Sequence, residues 1–245
     1  MMISPEVYYE QQLKGKTKEQ IMRVIRGLKQ EIGHLKNMME NPDYAQESVI
    51  HPSEGVRLDC TREYLGKAKQ AYTEVGGIYS MSKAEEKAAG FELNMNSIFK
   101  ITFGIGGFFG GYRSYVVEIS DNLKAYTKLW EDEESLILFD NENEEPFTKD
   151  AFLAALANFH IGEWRRRYTT LRFGYTVCDG TQWEMEFEYN NGHKPVRFDG
   201  DNAYPYNFNK LKMLFGIFDV EEHEEEADAE LNSSRPAEGQ TYRKF

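Results

Sequence analysis

The chain has 245 residues, 40% of them apolar and 14% aromatic, and a formal net charge of −12. That length allows one large domain or a medium domain with an appendage, and the aromatic excess of 16 Phe and 15 Tyr leans toward a sheet-built core. So acidic a balance argues against a nonspecific nucleic-acid binder, which needs a cationic surface. No apolar run approaches the ~20 residues that span a bilayer. The start, Met1 to Glu6, lacks the basic and apolar stretches of a secretory signal, so a cytoplasmic location is expected. The charge is uneven: residues 1–75 hold 11 basic and 11 acidic side chains, residues 76–218 hold 15 and 21, and residues 219–245 hold 3 and 9.

Residues 1–80 read as a helical hairpin domain. Thr17 with Gln20 forms a capping-box pattern, supplying acceptors for the orphan donors of a first helical turn. Ile21, Val24, Ile25, Leu28, Ile32, Leu35, Met38 and Met39 then recur at three- and four-residue spacing, one stripe of a helix of about six turns. Asn41-Pro42 ends it. Ser53 opens a second helix whose apolar residues, Val56, Leu58, Tyr64, Leu65, Ala68, Ala71, Tyr72 and Val75, are less regular, and Gly76-Gly77 closes it. So short a connection predicts an antiparallel pair, expected to protrude or pack loosely. Lys14, Lys16, Lys18, Arg23, Arg26, Lys29 and Lys36 crowd the first helix against Glu19 and Glu31. They form a phosphate-binding face or pair with Glu54, Asp59 and Glu63 of the partner helix.

Residues 81–218 read as an α+β domain. Ser82 with Glu85 repeats the capping box before a helix through Phe91. Ile98–Ile105 alternates as a strand, and Gly106-Gly107-Phe108-Phe109-Gly110-Gly111 reverses the chain into Tyr112–Ile119. These glycines suit a broad hairpin and bulge: no Lys-Ser/Thr follows them, and the next segment is a strand. Phe108 and Phe109 at the tip are candidate contact residues. Lys124–Trp130 and Ser135–Phe139 read as weaker strands, and Thr148 caps a helix containing Phe152, Leu153, Leu156 and Phe159. Segments 171–178, 182–189 and 194–198 read as a meander turned at Asp179-Gly180 and Asn191-Gly192. In its middle strand Trp183, Met185, Phe187 and Tyr189 alternate with Glu184, Glu186 and Glu188, one dry face and one wet. The turn after Gly200 reads as structural: Asn202 bonds its own backbone, Tyr204 and Tyr206 cover the sheet edge, and Asn207 caps a last helix with Leu211, Leu214 and Phe215. The expected architecture is an N-terminal antiparallel helical hairpin followed by an antiparallel sheet with helices on one face. Residues 219–245, with seven carboxylates between Glu221 and Glu230, read as a disordered acidic tail.

Trp164-Arg165-Arg166-Arg167-Tyr168 sets three arginines between aromatics. They suit phosphates or carboxylates, with aromatic faces for stacking, or they pair across the sheet with Glu184, Glu186 and Glu188. The binding candidates are therefore Phe108, Phe109, Arg165, Arg166, Arg167, Arg23, Arg26 and Lys29. His34, His51, His160, His193, Cys60, Cys178 and Asp179 show no nucleophile–base, metal-ligand or Walker spacing. The two cysteines are expected as buried free thiols. No enzyme activity, metal or cofactor is expected.

Gly106-Gly107-Phe108-Phe109-Gly110-Gly111-Tyr112, Trp164, Asp179-Gly180-Thr181-Gln182-Trp183 and Gly200-Asp201-Asn202-Ala203-Tyr204-Pro205 resemble a group of uncharacterised bacterial and phage proteins with a Gly-rich hairpin, an Asp-Gly-x-x-Trp strand and a Gly-x-Asn-Ala-Tyr-Pro turn. The N-terminal part, with Gly15-Lys16-Thr17 and His51-Pro52-Ser53-Glu54, is similar to an extra domain on mobile elements. The resemblance implies a fold and a genomic neighbourhood, and no catalytic residue carries over. The functional expectation is a non-enzymatic protein-interaction factor, in its sharpest form an inhibitor of a host nucleic-acid-targeting defence system, anti-CRISPR-like, whose acidity occupies a cationic channel. Its partner would be a nucleic-acid-binding effector. The alternative is a nucleic-acid-binding module that uses the basic helix and the arginine-rich strand.

Overall fold

The computed structural model describes residues 3–44, 52–107, 110–130, 132–140, 145–177 and 179–217. Phe108, Phe109, His51, Cys178 and the acidic segment 219–245 lie outside the described residues. Ser4 caps a short helix, α1 (Pro5–Tyr8), and the chain continues as one π-helical turn through Leu13. Nothing in the sequence reading anticipated this segment, although Ser4-Pro5-Glu6 carries a start signal: a capping hydroxyl, then proline where its missing N–H costs nothing.

Thr17 and Gln20 form the full capping box of α2 (Lys18–Met39), and Ser53 caps α3 (Glu54–Glu74). The start of α2 meets the end of α3: Ile21 and Ile25 bury against Ala68 and Ala71, with Leu13 sealing the same small core. Farther along, Arg57 of α3 reaches Glu31 of α2 at 2.8 Å, as an antiparallel pair requires. The α3 stripe is irregular because this helix serves several neighbours. Its Tyr64 stacks on Tyr8 at 4.1 Å, while Val56 and Val75 face solvent.

Ser82 and Glu85 cap α4 (Lys83–Leu93). The sheet follows: β1 (Ile98–Gly107), β2 (Gly111–Ile119), β3 (Leu123–Leu129), β4 (Asp132–Leu136), β7 (Arg167–Thr169), β8 (Thr181–Tyr189) and β9 (Val196–Asp201). Its order is β4-β3-β2-β1-β8-β9-β7, antiparallel except where β7 runs parallel to β9. Between β4 and β7 come a two-stranded ribbon, β5 (Phe139–Asp140) with β6 (Glu145–Pro146), and α5 (Lys149–Ala157); α6 (Phe208–Leu214) closes the described chain. One face of the sheet presents Ile101, Phe103, Trp183, Met185, Phe187 and Phe198 to α4, α5 and α6 in a single aromatic-rich core. The other face carries a charge ladder in which Lys100 pairs with Glu188 and Arg197 with Glu186. The chain is thus α+β, helices first and a mostly antiparallel sheet after.

Several local expectations are corrected. Residues 171–178 do not form a strand: Thr170–Phe173 is a 3-10 turn ended by Gly174 at φ 88°. The free edge of β9 is taken by β7, and Leu171, Tyr175 and Val177, which alternate like a strand, point outward at 66%, 40% and 38% exposure. The meander shrinks to the β8–β9 hairpin, and Asp179-Gly180 turns no hairpin. The strand expected at Ser135–Phe139 begins earlier, at Asp132, and stops at Leu136. Asn207 stands at the N-cap position of α6 as expected, but its side chain makes no capping bond; it accepts from Trp164 Nε1 at 3.1 Å and donates to the Phe159 carbonyl at 2.8 Å. Asn202, at φ 51°, spans two strands by accepting from the Thr181 amide at 2.8 Å. Among the described residues no helix is long and apolar enough to cross a membrane.

Candidate functional site

The hairpin meets the sheet through charges. A 3-10 turn, Ile161–Glu163, lies so close to α4 that a Cβ on Gly162 would sit 2.7 Å from the Ala88 carbonyl oxygen; only glycine lets the backbones meet. The turn delivers Glu163 between two cations of the hairpin. Lys36 Nζ lies 3.2 Å and Arg62 Nη2 2.7 Å from its carboxylate. Arg62 Nη2 also donates to Tyr206 Oη at 2.7 Å, and both cations lie 5.6 Å from the Tyr206 ring centroid. Burial pushes the Glu163 carboxyl up, but the Arg62 hydrogen bond and the charges of Lys36 and Arg62 outweigh it and hold the group below the usual carboxylate range. Lys36 is the less well served partner: burial lowers its ammonium, Glu163 restores only part, and Arg62 repels it. His160 is also lowered, first by burial and then by the Arg62 charge.

A second bridge uses Glu40, whose side chain is 2% exposed. It accepts from Arg172 and lies 3.6 Å from Arg165 Nε, while Asn37 of α2 accepts from both arginines. A cleft of about 750 Å³ borders this junction, lined by Glu40, Tyr44, Arg62, Tyr204, Tyr206 and Asn207 among others. Much of its polar lining is already engaged: Tyr44 with Glu54, Arg62 with Asp59, Glu163 and Tyr206, and Asn207 as above.

The arginine triplet fans out rather than alternating. Residues 164–166 precede β7, and Arg165, Arg166 and Arg167 are all exposed. Arg165 reaches back to α2. Arg166 lies over the Phe198 ring at 5.0 Å and donates to the Arg197 carbonyl at 3.1 Å. Arg167 pairs with Asp199 at 3.5 Å. The expected pairing with Glu184, Glu186 and Glu188 is overturned, because β9 lies between β7 and β8 and the partners of Glu186 and Glu188 are Arg197 and Lys100. Lys87 of α4 joins the group: its ammonium donates to the Trp164 carbonyl and lies 5.6 Å from the same Phe198 ring.

On α2, Arg23 and Arg26 are exposed, whereas Lys29 is committed. Its ammonium lies 2.8 Å from Glu85, which also takes Lys69 at 2.8 Å and the Tyr79 hydroxyl at 2.7 Å. The expected pairing of α2 cations with Glu54, Asp59 and Glu63 does not occur; Asp59 serves Arg62, and Glu54 accepts from Tyr44. At 100° per residue Arg26 and Arg23 fall within about 40° of Asn37, so the exposed α2 stripe runs into Arg165 and Arg172, roughly 15–20 Å along the axis. The sequence reading missed Lys87, Arg172, Glu40 and Glu163. Lys36 carried a usable signal, lying two turns past Lys29 on one face; Lys87, flanked by Glu85 and Glu86, carried none.

For chemistry the site offers little. Among the described residues no group of three His, Cys, Asp or Glu side chains could hold a metal ion. Cys60 is a free, half-buried thiol, less buried than expected, pushed up by burial and by Glu63 and Asp59, the reverse of an activated nucleophile. Comparison with protein-family models, curated proteins and solved structures gave no match, so function rests on this geometry.

Proposed function

We propose that the protein is a non-enzymatic binding factor whose ligand is a nucleic-acid strand, held by phosphate contacts along the face where α2, α4 and β7 meet. The observation that carries this reading is a local charge excess on an acidic chain. Lys87, Arg165, Arg166, Arg167 and Arg172 gather around Trp164, Phe198 and the end of α2, and exposed Arg23 and Arg26 lie on the α2 stripe that leads toward Asn37. Among the described residues Glu40 and Asp199 are the carboxylates within ion-pair distance of these cations. Arginine forks and the half-buried Lys87 ammonium match phosphate oxygens, and the acidity elsewhere restricts binding to this face. A fluorescent single-stranded oligonucleotide titrated at several salt concentrations tests it. The expected slope of log affinity on log salt is about −3, for four to five phosphate contacts on a single strand. Reversing Arg165, Arg166 and Arg167 to Glu should flatten it by about two units. No retention at about 50 mM salt and tens of micromolar protein would overturn the reading.

A second reading, a protein partner, is supported by the opposite edge of the sheet. There Trp130 is 89% exposed at φ 58°, beside the acidic strand β4 with Asp132, Glu133 and Glu134. A partner captured by the full chain and lost with Trp130→Asp would favour it over the strand-binding reading.

A further inference from the structure

Within the basic face, Lys87 and Arg166 differ from the ion-paired Arg165, Arg167 and Arg172: among the described residues their hydrogen-bond partners are backbone carbonyls. Lys87 donates to the Trp164 carbonyl and Arg166 to the Arg197 carbonyl, and both cations lie over one buried ring, that of Phe198. The surrounding carboxylates face elsewhere: Glu163 is taken by Lys36 and Arg62, Glu40 by Arg165 and Arg172, Asp199 by Arg167, and Glu186 by Arg197. On α4 itself Glu85 is taken by Lys29 and Lys69 and Glu86 is exposed, and the charges that act on Lys87 are those of Arg166 and Lys36. A ring quadrupole and two carbonyl dipoles favour cations, but they do not neutralise them.

We infer that Lys87 and Arg166, gathered over Phe198, form a seat for one phosphate group, and that filling it draws a proton onto Lys87. This rests on the strand-binding reading for its natural ligand, a backbone phosphate, but the seat is defined by its own geometry. Burial, then repulsion from Arg166 and Lys36, pushes the Lys87 ammonium down to about 8. A fraction of the side chains is therefore neutral near pH 8. A phosphate oxygen at the seat supplies the missing opposite charge, favours the ammonium form and raises its midpoint, so binding and protonation reinforce each other. Affinity is therefore highest below the free midpoint and falls as pH rises through it. The fall is about tenfold for each unit by which the bound midpoint exceeds the free one.

The test uses the full chain with lysine ¹³Cε labels, phenyl phosphate as probe and NMR titration of Lys87 from pH 7 to 10. The second ionisation of phenyl phosphate has its midpoint at about pH 6, so the probe is predominantly dianionic over this range. The expected result is a Lys87 midpoint at least one unit higher with the probe, a smaller shift in Arg166→Gln, and probe affinity about tenfold weaker at pH 9.5 than at pH 7.5. Lys87→Arg, permanently charged, should bind the probe at both pH values and lose the pH dependence. A Lys87 midpoint that ignores the probe, or an unchanged pH dependence in Lys87→Arg, overturns the seat. An oligonucleotide without terminal phosphates forms a second arm. If it is not bound while the probe response persists, the strand-binding reading fails and a phosphomonoester seat stands. Oligonucleotide binding without the Lys87 response overturns the seat and leaves the wider reading intact.

Discussion

The sheet core and the hairpin–sheet junction both bury large side chains, but with different forces. In the core, Phe103, Trp183, Phe187 and Phe198 are at most 1% exposed and meet edge-to-face or tilted: Trp164 on Trp183 at 6.2 Å and Trp183 on Phe208 at 4.8 Å. The attraction there is nondirectional area burial with a smaller geometric increment from ring packing. At the junction, Lys36, Arg62, Glu163, Arg172 and Glu40 leave water only because each carboxylate is shared by two cations. Such contacts repay desolvation only while every partner is present and charged. The core should therefore tolerate salt and pH, and the junction should answer to both.

The largest expected effect lies in the core. Trp183→Ala removes a ring that is 1% exposed and strands the Ala203 carbonyl, which accepts from Trp183 Nε1 at 3.0 Å. A loss of about 3–5 kcal/mol in urea unfolding is expected, unchanged by salt. A loss under about 1 kcal/mol would mean the core is not centred on this strand.

Next comes the junction. Glu163→Gln keeps an acceptor oxygen but removes the negative charge that Lys36, only 16% exposed, and Arg62 share, leaving two neighbouring cations uncompensated. The expected cost is about 2–3 kcal/mol. Lys36→Met with Glu163→Leu should cost less than Glu163→Gln alone, because an apolar pair leaves fewer charges unmet. Equal costs would show that the two residues do not act as a unit.

These two regions were unequally legible in the sequence. Trp183-Glu184-Met185-Glu186-Phe187-Glu188-Tyr189 declared its strand and both faces, because side-chain period and burial coincide on a half-covered sheet. The capping boxes at Thr17 and Ser82 located two helix starts within a residue, since the cap is a local contact. The junction was hidden for the opposite reason. Arg62 and Tyr206 stand 144 positions apart, and Glu163 and Lys36 127, so no window contains either pair. The arginine triplet drew notice as a composition signal, but its pairing could not be read, because it depends on β7 joining β9 in parallel and placing β9 between it and the glutamates. Residues 171–178 misled through strand periodicity with no strand edge left to join.

Smaller again is the cost at Glu85, a capping-box residue that also ties α4 to both hairpin helices. Burial works to raise its carboxyl, yet hydrogen bonds from Lys29, Lys69, Tyr79 and Ser82 hold it well below the ordinary 4.5. A depressed native value means stability that is present above the unfolded value and lost as pH falls through the native one. Glu85→Gln should cost about 1–2 kcal/mol at pH 7, discounted because the group is partly exposed. The gap to wild type should begin to narrow as pH falls below the unfolded value and keep narrowing toward the depressed native one. A gap that stays constant from about pH 6 down to about pH 2.5 would assign the contribution to the cap rather than to charge.

The smallest effect tests the wet side of the same strand that carries Trp183. Glu186 is charged and accepts from Arg197 Nε at 2.8 Å, so on geometry alone it matches the junction pairs. It differs in setting: Arg197 is 76% exposed, and water can replace either partner without leaving a buried charge. Holding two flexible side chains together offsets most of what the pair gains, and salt screens the remainder. Glu186→Gln should leave the urea midpoint where it is in wild type, in low and in high salt. A midpoint shift comparable to that of Glu163→Gln would mean that the ladder face is covered in solution, by a second copy or a partner, and the contrast between junction and open face would no longer hold.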